Sequence, residues 1–291
     1  MSDSAHFCAD WLALREPIDH AARNRALEQR LVAALPNRSP LSVIDLGSGS
    51  GSNLRHLAAR LQHRSQVWTL LDHDQALLER ADQTTNDRIK SDRLDLVVKT
   101  QRVDLSRMDS FSTSGPDLVT ASALLDLVSL DWIDHFAAQL IDWQAPVLMA
   151  LSVDGQREFI NRSCTKYVSA DDEHMRKLFN QHQRQAKGLG RSNALGPDAV
   201  PALAERLTQH PFDVDTANSP WILSAGSHEA RTLGVELLAD WANAARAMAS
   251  SPNADATSSE ITYWQQRRLE QLTQGELGLR IGHLDLLALP R

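Results

Sequence analysis

The stretch Val43-Ile44-Asp45-Leu46-Gly47-Ser48-Gly49-Ser50-Gly51-Ser52-Asn53-Leu54 decides how this chain is read. An apolar strand runs into an acid, then into alternating glycines, then into a helix expected from Asn53 to Leu61. A glycine loop at a strand-to-helix turn lets the backbone approach a ligand closely and points free amides at it. Many nucleotide sites share that much. The acid narrows the choice. Asp45 stands two residues before the first glycine, where it would repel a pyrophosphate and attract a ligand carrying an ammonium and a sulfonium.

The spacing agrees. In the dinucleotide fingerprint G-x-G-x-x-G the third glycine comes one place later than Gly51, and Ser52 holds that slot here. A second element follows as Gln66-Val67-Trp68-Thr69-Leu70-Leu71-Asp72, an apolar strand ending in an acid 21 residues after Gly51. An acid about 20 residues beyond a glycine loop is placed to take both hydroxyls of a ribose.

This Asp-x-Gly-x-Gly-x-Gly loop followed by strand-Asp resembles the cofactor half of the class I S-adenosylmethionine-dependent methyltransferases. The resemblance implies that Asp45, Gly47, Gly49 and Gly51 line the methionine part of S-adenosylmethionine and that Asp72, with its neighbour His73, lies at the ribose. A third family element is an acid after the third strand, near the adenine amine, which Asp104 followed by Leu105 would supply. A fourth is the strand Asp117–Ser122, whose end, Ser122, would face the methyl group. The four elements run from about residue 41 to 130, less than half of the chain, and identify a cofactor rather than a substrate. Each acid also has a plainer reading. Asp45 would serve as a helix cap, Asp72 and Asp74 likewise, and Asp104 as turn chemistry.

The chain has 291 residues, with 42% hydrophobic content, enough for one large domain or two small ones. No apolar run approaches the ~20 residues of a membrane helix. The opening Met-Ser-Asp-Ser-Ala-His has no basic end before an apolar stretch, so no signal peptide is expected. Two cysteines, Cys8 and Cys164, are too few for a disulfide framework and suit a reducing, cytoplasmic compartment. A formal charge of −7 gives no counterion-release attraction to nucleic acid, and Arg55, Arg60 and Arg64 read as a solvated helix face. No membrane partner is expected, and the oligomeric state is not legible.

Residues 1–37 read as an N-terminal helical cap, in which Pro17 begins a new helix at its first turn. Residues 38–291 read as the methyltransferase domain. The expected fold class is α/β: a Rossmann-like, doubly wound, mostly parallel seven-stranded sheet with its last strand antiparallel. Two helical insertions interrupt it, at about 154–197 and 227–272. In the second, Leu233, Leu237, Leu238, Trp241, Ala244 and Ala245 recur at helical spacing and read as core. A polar, small-residue tract at 249–259 reads as a linker.

Substrate groups are expected beyond the carboxyl ends of the strands. Asp126, just past the fourth strand, is a candidate base or substrate-orienting carboxylate, against the plainer reading of an acid favoured by a helix dipole. In the first insertion, His182 is the first candidate for a general base, because an imidazole titrates near working pH. Gln183 beside it is a candidate substrate contact; the alternative is an exposed helix end. In the cap, Arg15, Asp19 and Arg23 lie four apart on one helix face. They read as an ion ladder, or Arg15 and Arg23 meet a substrate carboxylate. His20, His56, His63, His73 and His135 are scattered and read mostly as surface residues, and no Cys/His cluster has zinc-site spacing.

The resemblance implies an S-adenosylmethionine-dependent methyltransferase, and the expected acceptor is an oxygen or nitrogen of a small molecule. Three alternatives stay open: a protein or RNA methyltransferase, a non-catalytic S-adenosylmethionine-binding protein, and a dinucleotide-dependent reductase.

Overall fold

The computed structural model describes residues 9–37, 39–92, 94–106, 115–187, 189–250 and 257–291. Cys8 and most of the expected linker lie outside them. The chain divides into two compact units: residues 1–152, 186–219 and 284–291 form the first, and 153–185 and 220–283 the second.

The first unit opens with helices α1 (Ala9–Ala22) and α2 (Arg25–Ala34). The chain then alternates: β1 (Leu41–Leu46), α3 (Ser52–Leu57), β2 (Ser65–Asp72), α4 (Gln75–Asp92), β3 (Asp95–Arg102), β4 (Leu118–Ser122), α5 (Leu130–Trp143) and β5 (Val147–Ile160). Later segments add α7 (Ala199–Thr208), β7 (Phe212–Asn218) and the end of β9 (Gly278–Pro290). The strand order is β3-β2-β1-β4-β5-β9-β7. Strands β1 to β5 pair in parallel, while β7 and β9 pair antiparallel. All seven expected strands are present, and the doubly wound, mostly parallel class holds. Two short further strands, β6 (Lys166–Tyr167) and β8 (Trp221–Leu223), pair with β5 and β9.

Alternation along the strands explains the two covered faces. Val43, Leu118 and Leu148 point to one side, where they meet Leu31 of α2, Leu54 and Leu57 of α3, and Leu78 of α4. Their neighbours Ile44, Val119 and Met149 point to the other, against Phe136 and Leu140 of α5 and Leu203 of α7. Consecutive residues on β1, β4 and β5 are thus both buried, and these strands read as continuous apolar runs.

Pro17 does not start a helix. It lies inside α1, and the break comes at Arg23-Asn24. Asn24 caps α2 by accepting from the Leu27 amide at 3.2 Å, and its own amide donates to Asp285 at 2.8 Å. That buried carboxylate also accepts from the Leu151 amide and the Ser219 hydroxyl, so it ties α2, β5 and β9 together. These tertiary ties outweigh the local preference of proline for a first turn.

The second unit holds α6 (Ala170–Gln183), α8 (His228–Ala249), α9 (Ser258–Thr273), β6, β8 and the remaining parts of β5 and β9. Its core is aromatic. Phe159 packs edge-on against Trp241 and Trp264, and Phe179 packs against Trp241. All six residues of the expected α8 stripe are buried. Arg268 is 1% exposed, donates to both oxygens of Asp172 at 2.8 and 2.6 Å, and stacks on Phe159 and Tyr167. Trp264 donates to the same carboxylate. A planar guanidinium buried this deeply is tolerated because a bidentate partner and aromatic faces replace its water.

Candidate functional site

The glycine loop leaves the carboxyl end of β1 and enters α3. Gly47, Gly49 and Gly51 have φ of +61°, +51° and +82°, so the turn needs a residue without Cβ at alternate positions. The Leu124 side chain, from the loop after β4, comes 3.1 Å from where a Cβ on Gly47 would sit, and Leu12 of α1 stands 3.5 Å from that of Gly49. Asp72, at the end of β2, accepts from the Gly49 amide at 2.8 Å and from the Asp74 amide at 2.9 Å. It is 5% exposed, and His73 stands 3.3 Å from its Oδ1. A carboxylate oxygen has two lone pairs, so each oxygen of Asp72 retains capacity for a further donor.

Asp45 is completely buried. Its Oδ1 accepts from Asn53 Nδ2 at 2.7 Å, while its Oδ2 has no hydrogen-bond partner. Burial pushes its carboxyl up to about 7, with Asn53 and Arg23 acting against the rise and Asp72 adding to it. The Ser48 hydroxyl, inside the loop, is also buried and unpartnered. A buried acceptor and a buried hydroxyl left unsatisfied beside a glycine loop are costly unless a further group completes them.

Beneath the loop lies a polar chain that sequence reasoning missed. Arg23 does not continue the Arg15–Asp19 ladder. Arg15 does pair with Asp19, at 2.9 Å. Arg23 instead turns inward, is 5% exposed, donates to Asn53 Oδ1 at 2.8 Å, and stands 3.4 Å from Glu28. His56, expected at the surface, is buried and 2.7 Å from Glu28. Burial lowers the His56 imidazole's pKa against the opposing pull of Glu28, and burial and the nearby His56 lower that of His20. Burial raises Glu28, but its hydrogen bond to His56 and the nearby Arg23 charge outweigh that and leave it lowered. Arg55, expected on a solvated face, pairs with Glu16 of α1 at 2.6 Å and donates to the Ser50 carbonyl. His56 is buried and Arg55 half-buried, which no local pattern announces, while Arg60 and Arg64 are exposed as expected.

The remaining candidates are placed as follows. Asp104 is exposed and accepts from the Ser106 amide. Leu105 is buried, and its carbonyl accepts from Trp132 Nε1 at 2.8 Å. Ser122 ends β4 half-buried, and Asp126 follows it on a short 3-10 turn, 8% exposed. Lys187 lies near Asp126: burial lowers its ammonium and Asp126 partly restores it. The segment carrying Lys187 is held by bridges Val128↔Leu189 and Ser129↔Ala194. Asp131 locks it further, accepting from Ser129 Oγ, the Arg191 amide and Ser192 Oγ, and the Ser129 bond leads in bringing its carboxyl to about 2. His182 and Gln183 are half-buried at the end of α6 and belong to the second unit. No group of metal-ligating side chains is found among the described residues, and no described helix is long and apolar enough to cross a membrane.

No protein-family model matches the chain, and no curated protein does either. Among solved structures it is similar to an S-adenosylmethionine-dependent methyltransferase from Thiobacillus denitrificans bound to S-adenosylhomocysteine, at 17% identity over 98% of this chain and 99% of that one, TM-score 0.46. A similar enzyme from Geobacter sulfurreducens gives 17% identity, 95% and 98% coverage, and TM-score 0.43. The cyclopropane synthase MmaA2 from Mycobacterium tuberculosis gives 11% identity, 90% and 83% coverage, and TM-score 0.45. A likeness at this level assigns no activity.

Proposed function

We propose that the chain is an S-adenosylmethionine-dependent methyltransferase acting on an oxygen or nitrogen of a small molecule. One observation carries the reading: the half-partnered, buried Asp45 and the loop-bonded Asp72 flank a glycine turn at the carboxyl ends of β1 and β2. An acid at each place favours a cation and a ribose over a pyrophosphate. In this reading Asp45 Oδ2 takes the ligand's ammonium, Asp72 accepts from the ribose hydroxyls, and Asp104 lies at the adenine amine. Ser122 and Leu105 border the ligand, and Asp126 orients or deprotonates the acceptor. When bound, the cofactor supplies an electrophilic methyl group on sulfur. The protein supplies placement, holding the acceptor in contact geometry. His182 as base, with Gln183 and Arg15 toward the substrate, rests on side-chain chemistry alone.

The test is the affinity for S-adenosylhomocysteine of wild type and Asp72→Ala. The variant is expected to bind more weakly by about 1.5–3 kcal/mol, the range for hydrogen bonds to a charged group. Equal affinity would remove the ribose assignment.

A further inference from the structure

Asn53 stands between a cation and an acid. Its Oδ1 accepts from Arg23 at 2.8 Å, and its Nδ2 donates to Asp45 Oδ1 at 2.7 Å and to Thr120 Oγ1 at 3.1 Å. A side-chain amide can be turned over, so something must choose its direction. Arg23 is a donor only and forces the carbonyl end toward itself. The amide's NH2 must then face Asp45. That engages one carboxylate oxygen and leaves Oδ2 buried and without a hydrogen-bond partner.

Arg23 is expensive to keep there. Two of its nitrogens, Nε and one Nη, are buried without a hydrogen bond. Glu28, 3.4 Å from Nε, offsets part of that cost, and the same charge also acts on Asp45. The charged groups facing Asp45 are Arg23, from the α1–α2 junction, and Asp72, from β2. Asp72 opposes ionisation of Asp45 and Arg23 favours it.

We infer that Arg23 is a positioning residue for the amino-acid end of the S-adenosyl ligand, acting through Asn53 to hold Asp45 oriented and ionised toward the ligand's ammonium. This rests on the S-adenosyl reading proposed above. Arg23 touches no ligand in this arrangement, which distinguishes it from a substrate-carboxylate contact.

The test uses the full chain and two probes. S-adenosylhomocysteine carries the amino-acid end, and 5′-methylthioadenosine carries the same nucleoside and sulfur without it. Affinities are measured by calorimetry from pH 6 to 9 for wild type, Arg23→Met and Asn53→Ala, with thermal melts to check folding. Both variants are expected to lose roughly tenfold in S-adenosylhomocysteine affinity at neutral pH, as one charge-assisted contact is worth. Their affinity for methylthioadenosine is expected to stay unchanged. In wild type, S-adenosylhomocysteine binding tightens as pH rises through about 7, where Asp45 ionises. In Arg23→Met that rise moves to higher pH, which a merely structural role would not produce. Should Arg23→Met fail to fold, Asn53→Ala carries the selective-loss test by itself. Equal losses for both probes, no loss for either, or an unmoved pH profile overturns the inference. Wild type that binds methylthioadenosine but not S-adenosylhomocysteine overturns it too. Binding of neither probe overturns the S-adenosyl reading and this inference with it.

Discussion

Replacing Asp45 by asparagine separates what the fold wants from what the ligand wants. The carboxyl sits at about 7 in the folded protein, chiefly because it is wholly buried, against an ordinary value of 3.8. A group raised on folding takes up protons that the unfolded chain has already released. Stability from this group is therefore fully present below about pH 4, falls as pH rises, and levels off above about 7. At pH 8 the accumulated cost is on the order of 4 kcal/mol. Asparagine removes it and keeps an oxygen to accept from Asn53. Its new NH2 has no evident acceptor, which costs about 1–3 kcal/mol. The net expectation is a ligand-free variant about 1–3 kcal/mol more stable than wild type at pH 8 and no more stable at pH 4. Urea unfolding of both proteins at pH 4, 5, 6, 7 and 8 reads the difference directly. The same variant is expected to bind S-adenosylhomocysteine at least roughly tenfold more weakly, having lost the ammonium's partner. A stability difference that does not change with pH would refute the reasoning, because it would mean Asp45 ionises in the fold as it does in water.

Two other substitutions address the second unit. Asp172→Ala strands Arg268, at 1% exposure, without its bidentate partner, and is expected to destabilise by about 3–5 kcal/mol. A melting temperature within a degree of wild type would contradict that. His182→Ala is expected to lower turnover while leaving cofactor affinity nearly unchanged; full activity on the true substrate would remove the base role and leave a helix-end histidine.

The parts of the fold that were legible are those written in adjacent residues. The strand-acid-glycine-helix run from Val43 to Leu54 specifies its own turn, because only glycine readily takes positive φ at alternate positions. The apolar runs of β1, β2, β4 and β5 announce a sheet covered on both faces. The α8 stripe shows its core face by spacing alone. What stayed hidden depends on distant partners. Asp154-Gly155 looks like a strand's end, yet β5 continues through it to Ile160, with Gly155 at φ +79°. Arg23, Glu28 and His56 carry no local sign of burial; their enclosure comes from α1, α2 and α3 packing together. Arg268 and Asp172 are 96 residues apart in sequence. Lys187 comes near Asp126 in a segment whose Leu189 pairs with Val128. Charged residues read as solvated by default, and pairing across the fold is what reverses that default.

The most direct measurement is a side-by-side calorimetric and thermal-shift titration of the whole chain with S-adenosylmethionine, S-adenosylhomocysteine and NAD. Both adenosyl ligands are expected to bind. At about 100 times its dissociation constant, a ligand should stabilise by roughly 2.7 kcal/mol, while NAD leaves the melt unmoved. Stabilisation by NAD, with no response to either adenosyl ligand, would contradict the assignment of Asp45 and Asp72 on which the account stands.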